Sequence, residues 1–451
     1  MEVPALRAVT EWVWAARHNP CGVDLLCSRG VSELVAERIE AIVAPCLPVG
    51  PGVDAVGSPR HGSLEVGVPV FLPHAAAVMA GLVDLGFRHI FVVCHHQGSS
   101  GEEGAAMKLV AQHYGLNFPS RGHPHWWGAL PPDAMVESGQ APAGATLRGE
   151  LPSTSITVLA TTEGRGLIPE LCGLTEFAGG PVDHGGFWET SSIQALCPPA
   201  VDLWQLERED TPWFALPGTT GHADGPRGCR EEFSVRLIDA FAATLAEEVL
   251  LVCSGGADAE ALPPEQRAAA LFTGCAQPTP SALRERTPHA LRLDEMRPGD
   301  IQSAASRDVP LLLPVGAVDL SLQDAAEGVP CGAELLAVRE ACETAAEQTE
   351  AIVAPPLSYG PPPGAGAPSP LEGDEGPFVP MLRAVLRGLV RMGFGRIVVV
   401  VSPRDRIGVA ALGLEAATEA DVSVLALGGG GELRSLLGPR GVAGSAAGAR
   451  L

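Results

Sequence analysis

Gly86-Phe87-Arg88-His89-Ile90-Phe91-Val92-Val93-Cys94-His95-His96-Gln97-Gly98-Ser99-Ser100 is an apolar run that stops abruptly at two histidines and a glycine-containing turn. From Ile90 to Cys94 no polar residue alternates with the apolar ones, the pattern of a parallel strand covered on both faces. In open α/β sheets ligands bind beyond the carboxyl ends of such strands, which is where His95 and His96 fall. Neighbouring side chains on extended backbone point to opposite faces, so only one of the two histidines can face a given site. The other needs a structural explanation.

Working outward, helix and strand patterns alternate. Val31 to Ile39 has helical spacing, Ala41 to Leu47 reads as a strand, and Ala75 to Leu85 reads as a helix leading into the strand around Phe91. Ser155 to Ala160 is a further strand, Asp183 to Ser191 opens a helix running through Leu196, and Glu231 to Leu251 reads as a long helix. Such alternation requires crossover connections and a mainly parallel sheet, hence a three-layer α/β/α domain. Residues 116–152, rich in Pro, Gly and His and including His123-Pro124-His125-Trp126-Trp127, read as a long loop of the kind that forms lids.

The pattern occurs twice. Glu40-Ala41-Ile42-Val43-Ala44-Pro45 returns as Glu350-Ala351-Ile352-Val353-Ala354-Pro355, and Gly81-Leu82-Val83-Asp84-Leu85-Gly86-Phe87 returns as Gly388-Leu389-Val390-Arg391-Met392-Gly393-Phe394. Order and near-constant offset point to a duplicated domain, since the period is far too long for a solenoid. We therefore expect one domain over residues 1–253, a linker over 254–289, a second copy over 290–427 and a Gly- and Ala-rich flexible tail over 428–451. Val309 to Gly316 reads as a strong strand of the second copy, and the first copy begins too late to include its full counterpart. The two copies are expected to pack as a pseudo-symmetric pair in one chain or to join a homo-oligomer.

Composition limits the partners. The 451 residues carry a formal net charge of -23, with 46% hydrophobic and 18% charged residues. Globular cores are expected rather than disorder. Nucleic acid and anionic membrane are excluded as partners by the acidic balance, because phosphate recognition needs clustered Lys and Arg. A small-molecule substrate fits better. No apolar run approaches the ~20 residues of a membrane span, and the start lacks a signal peptide's pattern, so a cytoplasmic protein is expected. The 11 cysteines show no C-x-x-C pair and are expected to be mostly buried and reduced. Of the 12 histidines only His289 lies beyond His222, so histidine chemistry belongs to the first half.

Three polar constellations stand there: His18 with Asp24, the His95-His96 turn, and Asp183-His184-Gly185-Gly186-Phe187-Trp188-Glu189-Thr190-Ser191. Carboxylates and imidazoles together suit zinc or manganese, and the lack of paired cysteines argues for a catalytic rather than a structural ion. Ordinary structural roles are also open to these residues: Glu189 as a carboxylate at a helix N-terminus, Asp24 as a cap on the helix at Leu25, and the tryptophans as loop packing.

These segments resemble the creatininase (creatinine amidohydrolase) family. Its pattern includes a strand ending N-G-H-G-G-N, a later H-A-G-x-x-E-T-S, and an early P-V-G-S-x-E-x-H-G-x-H-L-P-x-x-T-D. Cys94-His95-His96-Gln97-Gly98-Ser99 is similar to the first and His184 to Ser191 to the second, the most specific of the matches. Ser58-Pro59-Arg60-His61 is similar to a further family segment. The resemblance covers roughly residues 8–250 and resumes in weaker form from 291 to about 420. It implies His96 and Glu189 as metal ligands, Asp24 as the aspartate that bridges two metals, His184 as the catalytic histidine, and hydrolysis of a small cyclic or formylated amide at a zinc or manganese site. Trp126, Trp127 or Trp188 would close over the substrate.

The departures from the pattern matter equally. The family's early Glu and His lie eleven and nine residues before the bridging aspartate, which here gives Val13 and Ala15; the gapped repeat alignment gives Val9 and Glu11 instead. Glu11, set by that alignment opposite Ser321, is the best candidate for a further ligand, with His18 as another. In the second copy Ser321 stands at the histidine position and Pro403 where His96 stands, so its ligand set is dismantled. The alternative to an enzyme is a non-catalytic protein of this fold with an eroded metal site, serving assembly or small-molecule binding.

Overall fold

The computed structural model describes residues 4–9, 18–50, 63–64, 66–84, 86–95, 155–161, 185–208, 229–254, 270–271, 291–317, 332–359, 378–401 and 421–426. Within them the chain is α/β, with parallel sheets and helices on both sides. The first sheet holds β1 (Ala5–Val9), β2 (Ile42–Leu47), β3 (His89–Cys94) and β4 (Ser155–Ala160) in the order β2-β1-β3-β4. Around these strands in the sequence come α1 (Val23–Ile39), α2 (Val68–Asp84), α3 (Phe187–Leu196) and α4 (Glu231–Cys253).

Strand β3 is apolar because both its faces are covered. Phe91 and Val93 join Leu6 and Leu159 against Val23, Leu26 and Val31 of α1, Phe187 and Ile193 of α3, and Leu237, Phe241 and Leu245 of α4. Ile90, Val92 and Cys94, which alternation turns to the other face, are equally buried. At about 2 kcal/mol for each large side chain removed from water, this central strand anchors the sheet that carries the site. A buried ion pair between Arg38 of α1 and Asp239 of α4 ties the two helices together.

The second sheet is built the same way. It contains β5 (Leu291–Arg292), β6 (Leu311–Ala317), β7 (Ile352–Val353), β8 (Leu357–Tyr359), β9 (Arg396–Val401) and β10 (Asp421–Ala426), ordered β10-β9-β6-β7-β5 with β8 also paired to β6. Its helices are α5 (Pro298–Ser306), α6 (Ala333–Glu347) and α7 (Phe378–Arg391). Val338, Cys342 and Ala345 of α6 pack with Leu312, Val353, Val398 and Val400 of the sheet.

The chain divides into two compact units, and they do not follow chain order: Leu47–Ala77 belongs with Thr287–Leu451, while Ala15–Cys46 and Val78–Arg286 form the body of the other. Inside the second unit Leu64 lies against Gly388, where an added Cβ would stand 3.0 Å from Leu64 Cγ, and the rings of His74 and Phe378 are 6.1 Å apart.

One sequence expectation is corrected here. The opening strand of the first copy is present as β1, paired parallel to β3 with Ala5 opposite Ile90 and Ala8 opposite Val93. Its counterpart β6 pairs with β9 in the same way, Leu311 opposite Ile397 and Pro314 opposite Val400. The strand escaped notice because it is short and carries Arg7 in place of a continuous apolar run. Through Ile90 and Ile397 the pairing sets Ala5 against Leu311.

Candidate active site

The described part of the site lies at the first turns of α1 and α3. Gly22 is the N-cap of α1 and Asp24 lies inside the first turn, so Asp24 does not cap the helix. Its side chain is buried, at 3% exposure. Glu189 lies in the first turn of α3 after the N-cap Gly186 and is also buried. The backbone N–H of Gly185 donates to Glu189 Oε2 at 2.5 Å, a carboxylate reaching back to the helix entrance as in a capping box. Gly185 has φ of 62°, a left-handed conformation that costs glycine little, and this turn aims its N–H at the carboxylate.

Cys27 reports that the two carboxylates share one neighbourhood. Burial pushes its thiol well above the ordinary range, and the charges of Asp24 and Glu189 both push it further in the same direction. Cys27 therefore stays a protonated, inert thiol rather than a nucleophile. Two buried carboxylates close to one thiol are costly unless positive charge or hydrogen-bond donors meet them.

Thr190 is the hub that joins the helices. Its hydroxyl donates to Gly185 O (3.2 Å), lies 3.0 Å from His18 Nε2 and accepts from Asn19 Nδ2 at 2.9 Å. A hydroxyl has one proton, so with that proton on Gly185 O it can only accept from the imidazole, which assigns the Nε2–H tautomer to His18. Burial lowers the His18 pKa to about 4, offset in part by the Gly185 backbone and Asp202, so the ring is neutral near pH 7. The backbone reinforces the arrangement: Asp202 N–H donates to His18 O at 2.9 Å. His18 Nδ1 and Asn19 Oδ1 are buried without a hydrogen-bond partner.

At the rim of the sheet, Thr161 N–H donates to Cys94 O (2.8 Å), and the Thr161 hydroxyl lies 2.5 Å from His95 Nδ1. His95 thus has the structural task that the paired histidines required, clamping the end of β3 to the residue that follows β4. His96, His184 and Glu11, together with Ser58 to His61, Trp126 and Trp127, lie outside the described residues. Trp188 is buried against Phe187 and Phe241, a packing role rather than a gate. Asp24 and Glu189 are the members of the expected ligand set that the structure describes, one in the first turn of each of two helices and both charged neighbours of Cys27. Among the described residues no group of three or more His, Cys, Asp and Glu side chains is gathered where a metal ion could be held.

Thr190 and Asn19 were not singled out from the sequence. A signal existed for their neighbour: laid back from Asp24, the early pattern sets the histidine and proline of its H-L-P on His18 and Pro20, with Asn19 between them. Among the described residues Cys27, Cys253 and Cys342 are free thiols, and no helix is long and apolar enough to cross a membrane.

A family model described as "Creatininase: Creatinine amidohydrolase" matches residues 16–249. No curated protein matches the chain. Among solved structures, a crystal structure of creatinine amidohydrolase (creatininase) is 18% identical, covering 55% of this chain and 89% of its own, with a TM-score of 0.37. Another, described as "Creatininase Mn", is 18% identical over 55% of this chain and 90% of its own, also with a TM-score of 0.37.

Proposed function

The chain belongs to the creatininase family, and from that premise we propose that it is a metal-dependent amidohydrolase cleaving a carbon–nitrogen bond of a small cyclic or formylated amide. The observation that carries this reading is a pair of buried carboxylates from segments far apart in sequence, Asp24 in the first turn of α1 and Glu189 in the first turn of α3, both charged neighbours of the buried Cys27 thiol. A divalent cation is a natural partner for such a pair, and the donor set is oxygen and nitrogen, as zinc and manganese accept. Asp24, His96 and Glu189 would hold the ion. When bound, such an ion supplies a water made nucleophilic near neutral pH and a Lewis acid for the carbonyl.

The chain's own residues do the rest. The Gly185 N–H fixes one oxygen of Glu189, and Thr190 holds the loop at His18 and Asn19 against the entrance of α3. His184, one residue before Gly185, delivers a proton to the leaving nitrogen. Glu11 stays a candidate for a weaker second ion.

Two features of organisation belong to the same proposal. The sheet order β2-β1-β3-β4 is repeated as β7-β6-β9-β10, and helices α1 and α6 and strands β3 and β9 keep the offset of the sequence repeat, which supports a tandem duplication whose second copy has lost its ligands. The free cysteines fit a reducing compartment, the cytoplasm. A specific observation favours a second reading, a small-molecule binder with an eroded metal site: counting back from Asp24 puts Val13 and Ala15, which ligate nothing, at the two early ligand positions.

Hydrolysis separates the readings. Purified protein loaded with zinc or manganese should release amine from a panel of small formylated and cyclic amides, and His184→Asn should abolish turnover while keeping the metal. Metal-loaded protein inert across the panel, with or without that substitution, would support the binder.

A further inference from the structure

Two atoms of the candidate site lack what every buried polar atom needs. His18 Nδ1 and Asn19 Oδ1 belong to side chains only 2% and 0% exposed, and neither has a hydrogen-bond partner. Their residues are not loosely placed. His18 Nε2 and Asn19 Nδ2 are both spent on Thr190 Oγ1, which turns the remaining polar atom of each side chain away from that anchor. Because Thr190 gives its only proton to Gly185 O, His18 carries its hydrogen on Nε2 and Nδ1 is a bare lone pair. Asn19 Oδ1 is a carbonyl oxygen. Both orphans are therefore acceptors.

The neighbourhood offers them no relief in kind. Asp24 and Glu189, buried in the first turns of the two helices, are acceptors when ionised, and the Thr190 hydroxyl proton is already committed to Gly185 O. A buried acceptor left without a donor is a standing cost, and two such acceptors on adjacent residues select for a partner that donates. Resting on the amidohydrolase reading, in which Asp24 and Glu189 are committed to a metal, we infer that His18 Nδ1 and Asn19 Oδ1 form a paired acceptor site for the N–H edge of the ligand, an unsubstituted amide or ureido group. The pairing gives specificity by the same logic that lets a site built for hydrogen bonding reject analogues without the donor. A fully N-alkylated analogue would leave both atoms unpaired.

The probe is N-methylurea, with tetramethylurea, which has no N–H, as its control, both at concentrations well below denaturing. Full-length protein labelled with nitrogen-15 in histidine is titrated in metal-free and metal-loaded form. The expected result is a saturable upfield movement of the His18 Nδ1 resonance with N-methylurea and none with tetramethylurea. Asn19→Leu and His18→Phe, checked for folding by circular dichroism, should each weaken probe binding at least about tenfold without reducing metal content. Equal response to both ureas overturns the inference. So does an Nδ1 already hydrogen-bonded in probe-free protein and unmoved by N-methylurea, the signature of a buried water alone. The two readings fail separately: metal retained with no urea response removes this one, while a urea response in protein that binds no metal removes the hydrolase reading and leaves the acceptor pair standing.

Discussion

The two sheets carry the same wiring and opposite chemistry. In both, the strand before the apolar helical segment pairs in parallel with the strand after it, and all six residues of that later strand pair with the next, His89–Cys94 with Ser155–Ala160 and Arg396–Val401 with Asp421–Ala426. Helices α1 and α6 both begin after a glycine, Gly22 and Gly332, and both put a carboxylate in the first turn. The difference lies in what the helices bury. Helix α1 buries Asp24, Ser28 and Ser32 on its inner face, whereas α6 leaves Glu334 half-buried and has Val338 and Cys342 at the positions matching the serines. Parallel pairing and apolar burial can therefore be kept while the buried polar groups of a site are exchanged for packing.

The largest effect should come from the hub at the polar helix entrances. Thr190→Val leaves the donors of His18 and Asn19 buried and unmet, and it should lower stability by about 4 kcal/mol, read by urea denaturation. Among the described residues the second sheet and its helices show no such hub, so their amide exchange should change little.

A pH dependence follows from the same contrast. The folded pKa of His18 is about 4, below the ordinary 6.5, so the unfolded chain takes the proton first. Its contribution is complete above about pH 6.5 and is lost as pH falls toward 4, a change of about 3 kcal/mol. Thermal melts across that window should show the slope, and His18→Gln should remove that part of it.

Glycine substitutions sharpen the comparison further. A Cβ on Gly316 at the end of β6 would stand 2.6 Å from the Leu335 Cα, where backbone must move, and Gly316→Ala should cost about 2 kcal/mol. A Cβ on Gly30 of α1 would meet the Leu196 Cδ2 at the same 2.6 Å. That atom is the far end of a flexible side chain, and the helix gains from alanine, so Gly30→Ala should stay within about 1 kcal/mol of the parent. Reversal of that order in denaturation midpoints would contradict the packing of Gly316 against the Leu335 backbone and of Gly30 against the Leu196 side chain.

Strands β3 and β6 were legible because continuous apolar runs need two covered faces. Strand β1 was not, since Ala5-Leu6-Arg7-Ala8-Val9 gains its strand character from pairing beside β3. Helix α2 starts at Val68 rather than near Ala75 because it continues through Pro73, which forfeits one backbone bond in a segment otherwise apolar all round. In the site, Asp24 and Glu189 were readable from motif spacing. The hydroxyl that organises them was not, because Thr190 meets His18 across 172 positions of chain, a convergence that no local spacing encodes.

The account stands on a cation at the polar helix entrances and none at their apolar counterparts, and elemental analysis of the purified full chain tests it most directly. The parent should hold one tightly bound zinc or manganese ion, Glu189→Gln and His96→Ala should each lose most of it, and Glu334→Gln and Glu11→Gln should keep it. Metal retained in full by Glu189→Gln and His96→Ala, or lost on substitution of Glu334, would contradict it.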